Sequence, residues 1–142
     1  MEYITNSEKE TKKLAQDLAK RIQQENLGNV VALNGDLGAG KTTFVQGFAQ
    51  GLGIKEKIIS PTFVLIRQHL IPGGNLLYHI DLYRLNNEKG FEELGLKELL
   101  DNPNNLLLIE WAEKIEKYLP KNTVKIRIEK MNPKQRKFTV LS

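Results

Sequence analysis

At 142 residues the chain has the length of one ordinary domain, enough to bury about two thirds of its unfolded surface without disulfide staples. A composition of 40% hydrophobic and 27% charged residues excludes a disordered tail, a collagen-like repeat or a low-complexity scaffold. The lack of any cysteine excludes disulfides, thiolate zinc sites, iron–sulfur clusters and cysteine nucleophiles, while the net charge of +4 permits an anionic partner but is too small to indicate nucleic-acid binding.

The polar opening Met1 to Lys13 carries acids before any apolar run, so neither a signal peptide nor a membrane span is expected, and the protein reads as soluble and cytoplasmic. With no internal repeat and no Pro/Gly/Ser linker, residues 1–142 read as a single domain. Ser7 with Glu10 fits a capping box, and Leu14, Ala15, Leu18, Ala19 and Ile22 form one helical stripe. Thr11 lies on that face and needs a polar partner. Val30 to Leu33 reads as a strand buried on both faces, followed by a glycine-rich turn and a helix from Thr42 to Leu52. Phe63 to His69 and Leu76 to Asp81 flank a Pro72 to Asn75 turn as a hairpin, with His69 expected to be exposed. Glu88 to Leu100 predicts a helix interrupted at Gly95, and Leu106 to Ile109 a second buried strand ending in Glu110. Val124, Ile126 and Ile128 alternate with polar residues, as do Phe138 and Val140, predicting an antiparallel ribbon with one wet face. These elements predict a three-layer α/β/α domain with a mixed sheet.

Gly35-Asp36-Leu37-Gly38-Ala39-Gly40-Lys41-Thr42 matches G-x-x-x-x-G-K-[ST] between a buried strand and a helix start. Glycines let backbone N–H groups converge on an anion, and the positive end of the helix adds to the same site. Lys41 is placed to reach the β and γ phosphates of a bound nucleotide, Thr42 to take a position around Mg²⁺, and Thr43 to meet the α phosphate. The chain therefore reads as a single-domain P-loop NTPase.

A metal-bound triphosphate needs a second protein anchor at a neighbouring strand end, and Glu110 stands there where P-loop proteins commonly use Asp, the alternative being a surface acid that merely follows a strand. Asp81 closes the other candidate strand; it reads as a group orienting the attacking water or joining the metal's outer shell, or else as a half-exposed acid paired with Arg84. His79 reads as a hydrogen-bonded sheet residue. Thr62, in Ser60-Pro61-Thr62-Phe63, stands where a switch threonine senses the γ phosphate, although a plain proline turn explains the same residues. Trp111, the only tryptophan, reads equally as a core aromatic or as a flank of the nucleotide.

Together the glycine loop through Phe44, Ser60 to Phe63, Tyr78-His79-Ile80-Asp81-Leu82-Tyr83-Arg84-Leu85 and Ile109-Glu110-Trp111 resemble the TsaE family. The resemblance implies a bacterial P-loop ATPase required for threonylcarbamoyladenosine on tRNA. It implies binding of ATP and Mg²⁺ and work with two partners, TsaB and TsaD, without performing the transfer itself. It further implies that Gly38, Ala39, Gly40, Lys41, Thr42 and Thr43 hold the phosphates, that Glu110 is a Mg²⁺ ligand beside Thr42, and that Asp81 serves hydrolysis. Thr11 and Arg136 match family positions near the nucleotide.

Two other functions compete. A small-molecule or nucleotide kinase shares the loop but normally adds a lid rich in arginine, and this chain has five arginines in all. A nucleic-acid module using Lys121, Lys125, Arg127, Lys130, Lys134, Arg136 and Lys137 has few interleaved aromatics, so a solvated face or a protein-docking surface is favoured there.

Overall fold

A computed structural model describes residues 1–35, 39–58, 66–85 and 88–141. Its elements are β1 (Glu2–Thr5), α1 (Glu8–Gln24), β2 (Val30–Gly35), α2 (Lys41–Gly51), β3 (Ile66–Leu70), β4 (Leu76–Asp81), α3 (Glu88–Glu93), α4 (Leu96–Asp101), β5 (Leu106–Glu110), β6 (Val124–Lys130) and β7 (Arg136–Leu141), with a 3₁₀ segment at Ala112–Tyr118. The strands form one sheet in the order β1-β7-β6-β2-β5-β4-β3. Pairings β6–β2, β2–β5 and β5–β4 are parallel, and those of β1, β7 and β3 are antiparallel.

Every residue of β5 is buried, as are Val30 to Leu33 of β2, because helices cover both faces of a central parallel strand. Val31, Leu33 and Leu108 pack with residues of α1 and α2, whereas Val30, Ala32, Leu107 and Ile109 pack with residues of α3, α4 and the 3₁₀ segment. The layers are therefore α/β/α, as the alternation of elements predicts. Among the described residues, no helix is long and apolar enough to cross a membrane.

Helix α1 starts at Ser7, whose Oγ accepts the Glu10 N–H at 3.1 Å while the Glu10 carboxylate accepts the Asn6 N–H at 3.1 Å. Both bonds satisfy donors at the helix entrance. Helix α1 then lies against α2 through two glycines. A Cβ at Gly47 would stand 2.6 Å from the Lys12 carbonyl, and one at Gly51 2.5 Å from that of Gln16. The equal four-residue steps show the helices running side by side in the same direction. One turn back, this packing brings the start of α1 beside Thr43.

Several expectations need correction. Helix α2 begins at Lys41, one residue earlier than predicted, with Leu52 as its C-cap. Strand β1 and the 3₁₀ segment were not anticipated; the latter buries Ala112 and Ile115 at three-residue spacing, which suits a 3₁₀ turn. His69 is buried rather than exposed: it lies opposite the core residue Leu77 in the β3–β4 register, and its Nδ1 bonds the Glu56 carboxylate from the connection after α2. Helices α3 and α4 divide at Gly95, whose φ of 66° is left-handed. The first predicted hairpin strand is seen from Ile66, and Phe63 to Leu65 lie outside the described residues.

Candidate functional site

The C-terminal ends of β2, β4 and β5 lie side by side, the usual location of sites in open α/β sheets. Register sets this geometry: Leu33 of β2 pairs with Glu110 of β5, and Asp81 of β4 pairs with the same Glu110. After β2 the chain turns into α2 through Gly40, the N-cap, with φ 98° and ψ 21°, a left-handed conformation suited to glycine. Among the described residues, no side chain caps this end of α2. Gly38 and Thr62, both predicted site residues, lie outside the described residues.

Lys41 is buried, and its Nζ stands 3.9 Å from the centre of the Trp111 ring, a cation–π distance. Trp111 takes φ 60° and ψ 37° immediately after β5, an uncommon conformation for a bulky residue. Its ring also tilts against Tyr83 at 5.3 Å. The ring thus stands beside the loop lysine and also packs against the apolar cluster beneath α3, α4 and the 3₁₀ segment, so it shares features of both readings. Thr42 is exposed beside Lys41.

Glu110 is 5% exposed and its Oε2 lies 2.6 Å from Nε2 of His79, which is 1% exposed. An ionised carboxylate only accepts, so Nε2–H of the imidazole donates. Asp81 is half-buried and accepts the Tyr83 N–H at 2.9 Å. Burial raises the Asp81 carboxyl above the ordinary carboxylate range; the Tyr83 N–H opposes this and the Glu110 charge adds to it.

On the opposite flank of α2, a cavity of about 430 Å³ is lined by Ser7, Thr11, Gly40, Thr43, Lys134 and Arg136, among others. The polar partner that Thr11 needs is Thr5, their hydroxyls 2.7 Å apart and buried. Arg136 ties the last hairpin to the loop, donating from Nε to the Ala39 carbonyl at 3.0 Å and from a terminal nitrogen to that of Asn132 at 3.0 Å. The structure thus assembles Thr11, Ala39, Gly40, Lys41, Thr42, Thr43, Asp81, Glu110, Trp111 and Arg136 around the start of α2. Sequence reasoning missed the link from His79 to Glu110; the period-two spacing of His79 and Asp81 places both on the face that carries Glu110.

Among the described residues, no group of three or more His, Asp or Glu side chains stands ready to hold a metal. The donor set, one committed carboxylate with a second nearby and a threonine hydroxyl, suits Mg²⁺, which keeps several waters and shares one or two protein groups with phosphate oxygens.

The model of the family described as "Threonylcarbamoyl adenosine biosynthesis protein TsaE" matches residues 5–138. The Bacillus subtilis protein named tRNA threonylcarbamoyladenosine biosynthesis protein TsaE is 40% identical over 139 residues, 98% of this chain and 84% of that protein. Its namesake in Treponema pallidum is 41% identical over 132 residues, 89% of this chain and 94% of that one. The crystal structure of Bacillus subtilis YdiB superposes with a TM-score of 0.75 at 34% identity, covering 99% of this chain and 83% of that chain. Motif, fold, and a match along nearly the whole length agree, and the chain belongs to the TsaE family.

Proposed function

We propose that this chain is a single P-loop ATPase domain that binds and hydrolyses ATP with Mg²⁺ and serves threonylcarbamoyladenosine modification of tRNA together with TsaB and TsaD. The observation that carries the reading is the convergence of Lys41, Asp81 and Glu110 at the start of α2, with the two carboxylates in direct register. The relatives' names supply the pathway.

In this reading the N–H groups at the start of α2 bind phosphate, and Lys41 leaves the Trp111 ring to neutralise the β and γ phosphates. Thr43 and Arg136 hold the α-phosphate and nucleoside side of the substrate, with Thr11 beside them. Thr42 and Glu110 hold Mg²⁺, which when bound offsets phosphate charge and orients the phosphates. Asp81, with its raised affinity for a proton, orients the attacking water and accepts its proton as the water oxygen bonds the γ phosphorus and the bond from that phosphorus to the bridging oxygen breaks, releasing ADP and phosphate. Thr62 senses the γ phosphate.

The chain does not transfer the threonylcarbamoyl group, and tRNA reaches it through its partners. The ribbon's cations support that division: Lys125 pairs with Glu116, Arg127 with Glu129 at 3.6 Å, and Lys137 with Glu2 at 2.7 Å. These three pairs set carboxylates among the ribbon's cations.

The test is ATP turnover by the full chain with and without purified TsaB and TsaD. An open site hydrolyses slowly because the transition-state charge stays wet, and partner closure is expected to raise turnover at least about tenfold, a modest share of what trans-acting groups supply in P-loop enzymes. Thr62→Ala should weaken the stimulation more than nucleotide binding. A stable complex with unchanged turnover overturns the partner-stimulated mechanism.

A further inference from the structure

Among the described residues, the one side-chain hydrogen bond of Glu110 runs sideways, within the sheet. In the β4–β5 register Asp81 faces Glu110, while His79 faces Leu108. His79 is thus a diagonal neighbour of Glu110, farther away than a directly paired residue. An aspartate at 110, one methylene and about 1.5 Å shorter, would fall short of the imidazole that Glu110 reaches at 2.6 Å. The imidazole in turn has no other hydrogen bond among the described residues, where its buried Nδ1 is unpartnered. A buried polar ring of that kind costs stability in a sheet that packs leucine and isoleucine on either side. Its one bond goes to Glu110.

We propose that His79 is a positioning residue: its Nε2–H holds one carboxylate oxygen of Glu110, fixing the side chain so that the other oxygen is available at the mouth of the site. The inference rests on the reading of Glu110 as the Mg²⁺ anchor. It also accounts for glutamate at a strand end where P-loop proteins commonly carry aspartate, since the longer side chain spans both the diagonal to His79 and the site. Partners of this kind, donating a hydrogen bond to a metal-holding group, typically change metal affinity about 10- to 100-fold when removed.

The readout is the Mg²⁺ linkage of ADP binding, the ratio of ADP dissociation constants in EDTA and in saturating Mg²⁺, measured by calorimetry on the full chain. Glu110→Gln should abolish most of the linkage, and His79→Leu should reduce it at least about tenfold while leaving the affinity for ADP in EDTA near that of the unmodified chain. His79→Gln, whose amide nitrogen reaches about as far as Nε2, should keep the linkage within about threefold; His79→Asn, whose amide stops near the Nδ1 position, should lose it. In a Glu110→Gln background His79→Leu should have no further effect. A linkage unchanged in His79→Leu, with Glu110→Gln losing it, overturns the positioning role and leaves the anchor reading standing. A linkage unchanged in Glu110→Gln overturns both. Should His79→Leu fail to fold, equal linkage in the Gln and Asn variants overturns the proposal.

Discussion

The two flanks of the α2 N-terminus are built on different terms. On one side Ser7, Thr11, Lys134 and Arg136 come from opposite ends of the chain and meet because β1 pairs with β7, Thr5 opposite Arg136. On the other, His79, Asp81 and Glu110 are set by the register of two adjacent buried strands. The first flank is mainly hydroxyl and cation, with Glu8 at its edge, and the second is carboxylate and imidazole. A hydroxyl–cation flank suits holding an anionic substrate, whereas carboxylates repel phosphate and are useful only toward a metal or a water. Damage to the first should therefore appear in affinity for the nucleotide itself, and damage to the second in the Mg²⁺ linkage of that binding (His79, Glu110) or in turnover (Asp81).

Lys41 lies between the flanks, so its removal should produce the largest effect. At about a hundred times the dissociation constant, MgATP should add about 2.7 kcal/mol of apparent stability to the unmodified chain, and Lys41→Ala should remove most of it, read as a lost shift in thermal midpoint. An unmodified chain whose midpoint ignores MgATP would break the comparison at its root, since neither flank would then face a nucleotide.

Asp81→Asn tests the carboxylate flank alone. It keeps the shape and the acceptor for the Tyr83 N–H while removing the charge, so turnover should fall at least about tenfold, equal to about 1.4 kcal/mol in the barrier. Equilibrium binding of ATP should stay within about threefold. Loss of binding in place of turnover would erase the distinction between the flanks.

Arg136→Gln tests the other flank. With the guanidinium gone, its bond to the Ala39 carbonyl is lost and one charge leaves the cavity, so ATP affinity should weaken about fivefold, near 1 kcal/mol. Turnover at saturating ATP should change little. A fall in saturated turnover with unchanged affinity would assign Arg136 to chemistry.

These flanks also differ in how far the amino-acid sequence discloses them. The glycine loop and the acid ending each buried strand are local patterns, and Val30 to Leu33 and Leu106 to Ile109 announce their own burial. Strand β1 does not. Four residues with Glu2 and Thr5 among them carry no strand period of their own, and β1 exists through its pairing with β7. Since Thr5 is the partner of Thr11, the hydroxyl pair beside the loop was hidden with it. His79 and Glu110 are 31 positions apart and meet only once the β4–β5 register is known. The burial of His69 is hidden for a related reason, because it depends on the register that sets the ring opposite Leu77 and on a glutamate from the α2–β3 connection. Short-range chemistry is legible, whereas contacts created by register and closure are not.

The smallest predicted effect concerns stability, and it sharpens the account of the carboxylate flank. Burial, with the charge of Glu110 adding to it, raises the Asp81 carboxyl above its unfolded value despite the Tyr83 N–H. For a carboxyl raised on folding, the protonated form is the one the fold favours. Its stabilising contribution is complete below the unfolded pKa and is lost as pH rises through the folded pKa, so at neutral pH ionised Asp81 burdens the native state. Asn accepts the same backbone N–H without the charge. In nucleotide-free protein Asp81→Asn should therefore melt about 1–3 °C higher at pH 7, the gain shrinking as pH falls toward about 4, where the unfolded carboxyl also takes its proton. A variant that melts lower at pH 7, or whose difference from the parent ignores pH, would mean that Asp81 is held by a favourable charge contact. The expected result, stability gained at the position where turnover is lost, is the trade that a strained functional group makes against its fold.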